Sequence, residues 1–198
     1  YIEDAACEYV VLADCGVVSA VDYADVLEKH EESGADITVV YKKELLDETA
    51  KTDNVVLDVR NGKVCEILIN DVTDKVRNCG MWIYVINKDL LVSKIHECEA
   101  KGLSEFERDV LQASVGTLEI RGYEYTGYSR RITNLKSFFE ANLDLISKES
   151  LAGLFSAYPI YTKIRDDAPV TYTIGSKVTN TVAGDGCFIE GSVEGSVL

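Results

Sequence analysis

Residues 22–41 read DYADVLEKHEESGADITVVY, a helix pattern followed directly by a strand pattern. Asp22 is a residue type that caps helix N-termini, and apolar side chains then recur every three to four positions. Gly34 suits the left-handed turn that ends a helix. The apolar run Ile37–Tyr41 has the length and β-branched content of a buried strand. This stretch predicts an α/β fold.

The segments on either side extend the same pattern. The apolar run Tyr9–Ala13 precedes the helix and predicts a buried strand that pairs in parallel with Ile37–Tyr41, because a strand–helix–strand order favours a right-handed crossover. After it, Val55–Val59 and Val64–Ile69 are joined across Asn61–Gly62, a dipeptide typical of a tight hairpin turn.

Further strands and helices alternate up to residue 157. Strands are predicted at Met81–Ile86, Thr117–Ile120 and Tyr123–Tyr125, and helices at Lys88–Lys101 and Leu135–Lys148. A short helix between them is predicted to begin with a capping box formed by Ser104 and Glu107.

The pattern changes after residue 157. The chain's two prolines, Pro159 and Pro169, are typical of a linker, and Val178–Val182 is echoed by Val193–Val197 15 residues later. Short strands repeated with Gly, Asn and Ser at the corners are typical of a parallel β-helix. We therefore predict an α/β domain at residues 1–157, and a linker with the first coils of a β-helix at residues 158–198.

Composition excludes several functional classes. The 20 basic and 34 acidic residues give a formal net charge of −14, which disfavours binding to nucleic acid or anionic membranes. Six widely separated cysteines and two histidines, His30 and His96, do not have zinc-site spacing, and such cysteines are typical of a reducing compartment. We expect a cytoplasmic protein in which His30 is a core residue and His96 suits a helix C-terminus.

Six stretches in chain order carry a family signature. They are VDY at 21–23 with GADIT at 34–38, MWIYVI at 81–86, EFERD at 105–109, FFEANLDL at 138–145, PIYTK at 159–163 and GDGC at 184–187. They resemble motifs of the bacterial ADP-glucose pyrophosphorylases (glucose-1-phosphate adenylyltransferases), such as SMGIYVF, DFGKD and YWEANLDL. FFEANLDL and PIYTK are the most specific, and the resemblance covers nearly the whole chain.

The resemblance implies a partial Rossmann-like nucleotidyltransferase domain followed by the start of a left-handed β-helix. A start at Tyr1 without Met, and an end at Leu198 inside a patterned segment, lead us to expect a piece of a longer protein. That piece would lack the family's N-terminal Gly-rich loop and most of the β-helix, and we expect no activity from it alone.

The resemblance also implies positions for a site. The family transfers an adenylyl group to glucose 1-phosphate with Mg²⁺ held by two aspartates, whose positions fall here at Gly16 and Arg131. The family's sugar-phosphate lysine falls at Asn70, and the serine of SMGIY falls at Gly80. Asp14 replaces the first aspartate only if the loop shifts register. We predict no catalytic residue and no bound metal or other cofactor here, and take Asp14, Asn70, Gly80 and Arg131 as candidate substrate-binding positions.

These replacements resemble the catalytically degenerate D-type subunit that pairs with an active C-type subunit in bacterial glycogen synthesis. We predict a non-catalytic or weakly catalytic regulatory subunit in a hetero-oligomer with a catalytic paralogue, responding to a small anionic effector. One alternative is an active nucleotidyltransferase with a metal site rebuilt around Asp14. Another is a β-helix protein that binds a sugar nucleotide without transferase activity.

Two further features have two interpretations each. The pair Arg130–Arg131 either binds an anionic effector or sugar phosphate, or is a solvated pair beside acidic residues. Trp82 stands where the family has Gly, and either fills the vacated sugar pocket or packs against a helix.

Overall fold

The computed structural model describes residues 2–45, 54–71, 75–155, 160–161 and 166–198. The chain forms two compact units, which are Tyr1–Cys15 with Val21–Thr126, and Gly16–Ala20 with Gly127–Leu198. The boundary expected between residues 157 and 158 lies outside the described residues, as does part of the PIYTK motif, and that boundary stays a prediction.

Seventeen helices and strands follow one another in the residues that the structure describes. The strands are β1 (Tyr9–Ala13), β2 (Val17–Ser19), β3 (Ile37–Leu45), β4 (Val55–Arg60), β5 (Lys63–Ile69), β6 (Val76–Asn87), β7 (Ile120–Glu124), β8 (Ser129–Arg131), β9 (Thr171–Tyr172), β10 (Lys177–Thr179), β11 (Phe188–Ile189) and β12 (Ser192–Glu194). The helices are α1 (Tyr23–Ser33), α2 (Lys88–Lys101), a π-helix (Phe106–Gln112), α3 (Leu135–Asp144) and α4 (Lys148–Phe155).

The first unit is built on a six-stranded sheet with the order β1-β6-β3-β7-β5-β4. Both β1 and β3 pair antiparallel with β6, which lies between them. The prediction that β1 pairs directly with β3 is therefore wrong, because a strand from later in the chain occupies the position between them. The prediction that β1 is buried is also wrong, since β1 is an edge strand and the side chain of its Val11 is 40% exposed.

Five strands of the sheet, β3 to β7, pair in a closed circuit. β7 pairs in parallel with β3 and meets β5 at one bridge, β5 pairs with β4, and β4 returns to β6. The hairpin between β4 and β5 is confirmed, with Asn61 and Gly62 at φ of 51° and 78°, the positive values that its tight turn requires. The two strands predicted at Thr117–Ile120 and Tyr123–Tyr125 are one strand instead, because Thr117 donates its N–H to Ser114 in a turn.

Helix α1 begins and ends at the predicted residues. The Asp22 side chain accepts the N–H groups of Ala24 and Asp25 at 2.9 and 3.3 Å, and Gly34 has a φ of 61°. Helix α2 is confirmed in the same way, with Asn87 as its N-cap and Gly102 as its C-cap.

The capping box predicted from Ser104 and Glu107 is wrong. The segment that follows is a π-helix whose N-cap, Glu105, makes no side-chain capping bond. The Asp109 carboxylate instead accepts the N–H groups of Ser104 and Glu105 at 3.2 and 2.9 Å. A side chain from within the helix thus caps the N–H groups just before its first residue. The Glu107 carboxylate accepts the hydroxyl of Tyr84 at 3.1 Å.

The main core lies on the sheet of the first unit. Its buried side chains come from five strands, α2 and the π-helix, and they include Ile37, Val39, Tyr41, Leu57, Ile86, Leu91, Leu111 and Ile120. Tyr41 is packed so closely that a Cβ at Gly122 would lie 2.8 Å from its ring. The sheet therefore requires glycine at position 122.

Helix α1 packs on this sheet through Val26 and His30, both almost fully buried. The Nδ1 atom of His30 lies 2.8 Å from the hydroxyl of Thr38, and its ring meets the ring of Tyr9 edge-on at 5.0 Å. Its Nε2 atom has no hydrogen-bond partner in the described part of the chain. Burial lowers the pKa of His30, and the nearby carboxylates of Glu31 and Asp36 only partly oppose this. His30 is a core residue, as predicted.

Trp82 has a φ of +53°, the left-handed region that favours glycine. The other described non-glycine residues with positive φ are all asparagines, at positions 61, 70 and 180. The family glycine at this position is thus explained by the backbone, and here a tryptophan adopts the same conformation. Its side chain packs against the core cluster that contains Leu91 of α2, which favours the packing interpretation over a filled sugar pocket.

The backbone at Trp82 is left-handed because β6 bulges there. Val39 of β3 lies opposite Tyr84, whereas Tyr41 lies opposite Gly80, so β6 contains two more residues than β3 between these pairs. Such a bulge bends a strand and increases its twist.

The second unit contains an antiparallel pair of β2 with β8, helices α3 and α4, and two short parallel pairs. The single helix predicted over Leu135–Lys148 is wrong, since α3 ends at Asp144 and α4 begins at Lys148. Between them, the N–H groups of residues 145–147 each bond to the carbonyl three residues earlier, which tightens the chain and ends the first helix.

The 15-residue echo in the sequence corresponds to a parallel pairing. β10 pairs with β12 with Val178 opposite Val193, and an isolated bridge places Val182 opposite Val197. β9 pairs with β11 in the same parallel sense. Within the described ranges, no helix has the length and apolar character needed to span a membrane.

We predict that His30 makes folding stability depend on pH. Its folded-state pKa is lowered, so His30 contributes stability that is present above the unfolded pKa of about 6.5 and is lost as the pH falls through the folded pKa. Urea unfolding between pH 7.5 and 5.5 should show the free energy of unfolding decreasing by up to about 1.4 kcal/mol per pH unit in that window. His30→Gln should flatten this slope, and the control His96→Gln, at an exposed position, should not. Equal slopes in wild type and His30→Gln would contradict the prediction.

We also predict an inverted order of stability at position 82. Trp82→Gly and Trp82→Ala remove the same indole, but only glycine adopts positive φ without strain, so the glycine variant should be more stable by about 1 kcal/mol. The control position is Val11, a strand residue without positive φ. There the alanine variant Val11→Ala should be more stable than Val11→Gly. Urea unfolding of the four variants measures both differences, and an alanine variant at position 82 as stable as the glycine variant would disprove the assignment of strain.

Candidate functional site

The motif resemblance assigns the family's two metal aspartates to Gly16 and Arg131. Gly16 directly precedes β2, and Arg131 is the last residue of β8, which pairs with β2. Val17 of β2 is opposite Arg131 of β8, and Gly16 accepts the N–H of Ile132 at 2.8 Å. Gly16 and Arg131 are far apart in sequence, and each was identified from a separate motif. The second unit nevertheless brings them to adjacent positions on one ladder.

The side chains at these two positions do not fit Mg²⁺. Glycine supplies no ligand, and a guanidinium is a permanent cation that repels a divalent metal, which prefers carboxylate and water oxygens. Across the described ranges, no group of three His, Cys, Asp or Glu side chains has the proximity needed to hold a metal ion. Neither side chain therefore supplies the oxygen ligands that a divalent metal prefers.

The neighbouring Arg130 is occupied by internal contacts. Its guanidinium bonds to the Asp144 carboxylate at 2.8 Å and lies 3.8 Å from that of Glu140. The hydroxyl of Tyr128 also donates to Asp144 at 3.0 Å, and burial together with this carboxylate raises the pKa of Tyr128 to about 12. Arg130 thus ties β8 to α3, which supports the interpretation as a structural charge pair rather than an effector ligand.

Asn70, at the position of the family's sugar-phosphate lysine, follows β5 in a left-handed turn with a φ of 58°. The buried side chain of Asn54 holds this turn, since its amide donates to the carbonyl of Asp71 and accepts the Asp71 N–H, both at 3.0 Å. The Asp71 carboxylate lies 3.3 Å from Nε of Arg77. The turn is firmly positioned, but residue 70 presents an amide where the family has a cation.

Gly80, at the position of the family's serine, is buried where β4 meets β6. A Cβ there would lie 3.3 Å from the Cβ of Val55 and 3.4 Å from its carbonyl oxygen. Close packing of the two strands therefore explains the glycine, and a serine would force them apart.

Asp14 directly follows β1 and belongs to the first unit, together with Asn70 and Gly80. Its N–H donates to the carbonyl of Trp82 at 3.1 Å, which extends the β1–β6 ladder by one bond. This bond fixes the backbone at position 14. It does not involve the Asp14 carboxylate and is not evidence that the carboxylate binds a metal. The metal site rebuilt around Asp14 stays a prediction.

Sequence reasoning missed two residues that organise these positions, Asn54 and Asp144. Asn54 directly precedes β4 and Asp144 is the last residue of α3, and each bonds to a segment distant in sequence. Asp144 lies inside the FFEANLDL motif, so only the resemblance carried a signal for it.

The first unit also contains a cleft of about 360 Å³ lined by Lys29, Thr38, Arg121, Tyr123 and Glu124 among others. Its two cations are already paired, Lys29 with Glu32 at 2.7 Å and Arg121 with Glu119 at 2.9 Å. The cleft therefore offers little unused positive charge for an anionic effector.

Comparison with known proteins places the chain among curated relatives. No protein-family model matches it. The glycogen biosynthesis protein GlgD of Bacillus subtilis (strain 168) is 26% identical over 199 aligned positions, covering 100% of this chain and 48% of the relative. The glucose-1-phosphate adenylyltransferase of Mycoplasma mobile is 27% identical over 194 positions, covering 96% and 51%.

The chain thus spans about half the length of the curated relatives it matches. Both matches extend over all or nearly all of it, and their names agree with the family that its motifs resemble. These similarities support the assignment of the chain to the ADP-glucose pyrophosphorylase (glucose-1-phosphate adenylyltransferase) family, as a GlgD-like member.

Proposed function

We propose that this protein is a non-catalytic or weakly catalytic regulatory subunit of glucose-1-phosphate adenylyltransferase, acting in glycogen biosynthesis. The observation that supports the proposal most is that Gly16, which directly precedes β2, lies beside the end of β8, where Arg131 is opposite Val17 and the N–H of Ile132 bonds to the Gly16 carbonyl. The two positions that the resemblance assigns to the metal aspartates lie close together, and neither has a carboxylate. The scaffold of the site persists without its ligands.

The chemistry explains why these two replacements matter. Attack of a sugar phosphate on the α-phosphorus of ATP builds negative charge, and a bound metal with its carboxylates stabilises that charge in the transition state. Removing one preorganised stabilising group from such a site typically costs about 3–4 kcal/mol, or a factor of 10² to 10³ in rate. With both carboxylates replaced, and one of them by a cation, we expect little or no adenylyl transfer.

We further propose that the first unit is part of a nucleotidyltransferase domain and that the second begins a left-handed β-helix. The parallel pairs of β10 with β12 and of β9 with β11 support the β-helix, because stacked coils of such a helix pair in this sense. Two rungs do not bury a core of their own, so we expect further coils in the complete protein.

A catalytic paralogue in a hetero-oligomer is the partner we propose, with a small anionic effector as regulator and the cytoplasm as location. The net charge of −14 supports a protein or small-molecule partner over nucleic acid. Since a subunit without metal ligands contributes no turnover, its contribution would lie in assembly and in the response to the effector.

The first test is recovery of the complete protein from its own cell extract, followed by assay of the complex for ADP-glucose synthesis. We expect a co-purifying active homologue whose rate or effector response changes when this subunit is depleted, and no robust ADP-glucose formation by the purified subunit alone. Robust synthesis by the subunit alone would reject the proposal. Asp14→Asn then tests the rebuilt site, which requires loss of that activity. Recovery without a homologue but with affinity for a sugar nucleotide would favour the binding-protein alternative.

A direct test of the site uses Mn²⁺ binding followed by electron paramagnetic resonance. The wild-type chain should bind no Mn²⁺ at this site, and the double variant Gly16→Asp/Arg131→Asp should gain a site because two carboxylates then lie close together where β2 begins and β8 ends. The control Gly184→Asp/Lys177→Asp adds the same carboxylates at exposed positions and should gain none. Tight Mn²⁺ binding by the wild type that Asp14→Asn abolishes would overturn the proposal in favour of the rebuilt site.

A further inference from the structure

The polar cleft of about 360 Å³ in the first unit lies between the second half of α1 and the strands β3 and β7. Lys29 and Ser33 of α1 line one side, and Thr38, Arg121 and Tyr123 line it from the two strands. Strand β6 separates β3 from the edge strand β1, so the cleft includes neither that edge nor any residue of the second unit. Its volume lies at the lower end of the range of about 300–1,000 Å³ that is typical of small-ligand sites.

The tip of the β4–β5 hairpin lines the cleft and is fixed in place. The carbonyl of Gly62 accepts the N–H of Gly122 at 2.9 Å, and the carbonyl of Asn61 accepts Nη1 of Arg121 at 3.2 Å. Since these bonds join the turn to β7, this part of the cleft is formed before a ligand arrives. A preformed site loses little conformational entropy when it binds.

The charges of the cleft are balanced by internal partners. Its three charged lining residues each form an ion pair. The pairs are Lys29 with Glu32, Arg121 with Glu119, and Glu124 with Lys43, at 2.7, 2.9 and 2.8 Å. The hydroxyl of Tyr123 donates to the Asp25 carboxylate, and burial together with this carboxylate raises the pKa of Tyr123 to about 12. Balanced charges select neither an anion nor a cation, so the cleft favours an uncharged polar ligand.

The same polar groups keep hydrogen-bonding capacity for a ligand. Nη2 of Arg121 makes no hydrogen bond within the described ranges, and Lys29 uses one of its three N–H groups in its ion pair. The hydroxyls of Ser33 and Tyr123 donate to internal acceptors, so the oxygen of each can still accept a hydrogen bond. Spare donors and spare acceptors therefore line one cleft.

A hydroxyl-rich ring matches this combination. A hydroxyl group donates and accepts through the same atom without carrying a charge, and a pyranose ring presents several of them around an apolar C–H face. The half-buried aromatic ring of Tyr123 offers an apolar surface beside its polar hydroxyl. A peptide fits less well, because its donor and acceptor are different atoms that point in fixed directions.

We propose that this cleft binds one uncharged pyranose ring, either free glucose or the terminal glucosyl unit of an α-linked glucan. The class of ligand follows from the cleft alone, whereas the choice of glucose over other uncharged sugars rests on the proposed function in glycogen biosynthesis. The lining residues include none of the four candidate substrate-binding positions. The cleft is thus a second carbohydrate site, separate from the positions assigned to the phosphorylated substrates.

Titration of the complete protein with glucose and with maltotriose, followed by saturation-transfer difference NMR, tests the proposal. We expect a Kd in about the millimolar range, because a single ring offers few atoms for contact. Affinity should not change between low and moderate salt, since the ligand is uncharged. Tighter binding of maltotriose would assign the cleft to a glucan end, and equal affinity would assign it to the single ring.

Variants with matched controls locate the binding. Ser33→Phe fills the cleft from an exposed helix position and should abolish binding, whereas Ser93→Phe, exposed on α2, should not. Lys29→Met should weaken binding about 10-fold, the loss expected for one hydrogen bond from a charged group. Its control is Lys94→Met, which removes a lysine with the same three-residue spacing to a glutamate on α2 and should bind as the wild type does. Circular dichroism checks that each variant is folded.

Three results would each overturn the proposal. They are failure of both sugars to bind, binding that survives Ser33→Phe and Lys29→Met unchanged, and displacement of the sugar by inorganic phosphate. Binding of galactose but not glucose through the same residues would overturn the glucosyl assignment. The titration needs neither a metal nor a catalytic partner, so its failure would leave the proposed regulatory function standing. Robust ADP-glucose synthesis by the purified subunit would reject that function without affecting the cleft.

Discussion

The backbone ladder of β6 is the interaction on which the first unit depends. One edge of this strand pairs with β3, and the other is shared between β1 and β4. No other strand in the described sheet joins three partners, so β6 fixes the positions of Asp14, Gly80 and the β4–β5 hairpin together. The bulge at Trp82 follows from this sharing, because β6 must bend where one neighbour ends and the next begins. A strained tryptophan there is tolerated because the surrounding ladder determines the backbone.

Within each unit, internal hydrogen bonds and ion pairs hold the backbone near the candidate positions. Asn54 holds the Asn70 turn through two hydrogen bonds, and Asp144 anchors Arg130 and Tyr128. These supports hold the backbone near positions that the motif resemblance assigns to the family's sugar phosphate and metal. The side chains presented at those places are an amide, a glycine and a guanidinium. The proposed regulatory function accounts for this pattern, since packing would still constrain the supports whereas catalysis would no longer constrain the ligands.

The sequence predicted well what is decided locally. The caps of α1, the Asn61–Gly62 hairpin and the 15-residue strand echo each depend on a few neighbouring residues, and each is confirmed. The sequence-based predictions failed where the local structure depends on contacts with residues distant in the chain. The insertion of β6 between β1 and β3 cannot be predicted from the local strand–helix–strand order. The end of α3 at Asp144 is not marked by a glycine or proline in the sequence. At the candidate site, the resemblance identified positions 16 and 131. The hydrogen bonds from the Asn54 side chain to Asp71 join residues 17 positions apart, and no periodic sequence pattern predicts them.

The pairing of β2 with β8 has a consequence for how the protein is made. Gly16–Ala20 belongs to the second unit, although the whole first unit after it must be synthesised before β8 appears. At a translation rate of about 5–20 residues per second, this short strand waits for its partner for several seconds on the ribosome. The first unit can complete its ladder in that interval, so vectorial synthesis favours folding it first. A clone encoding only residues 127–198 would lack one strand of the unit it was meant to isolate.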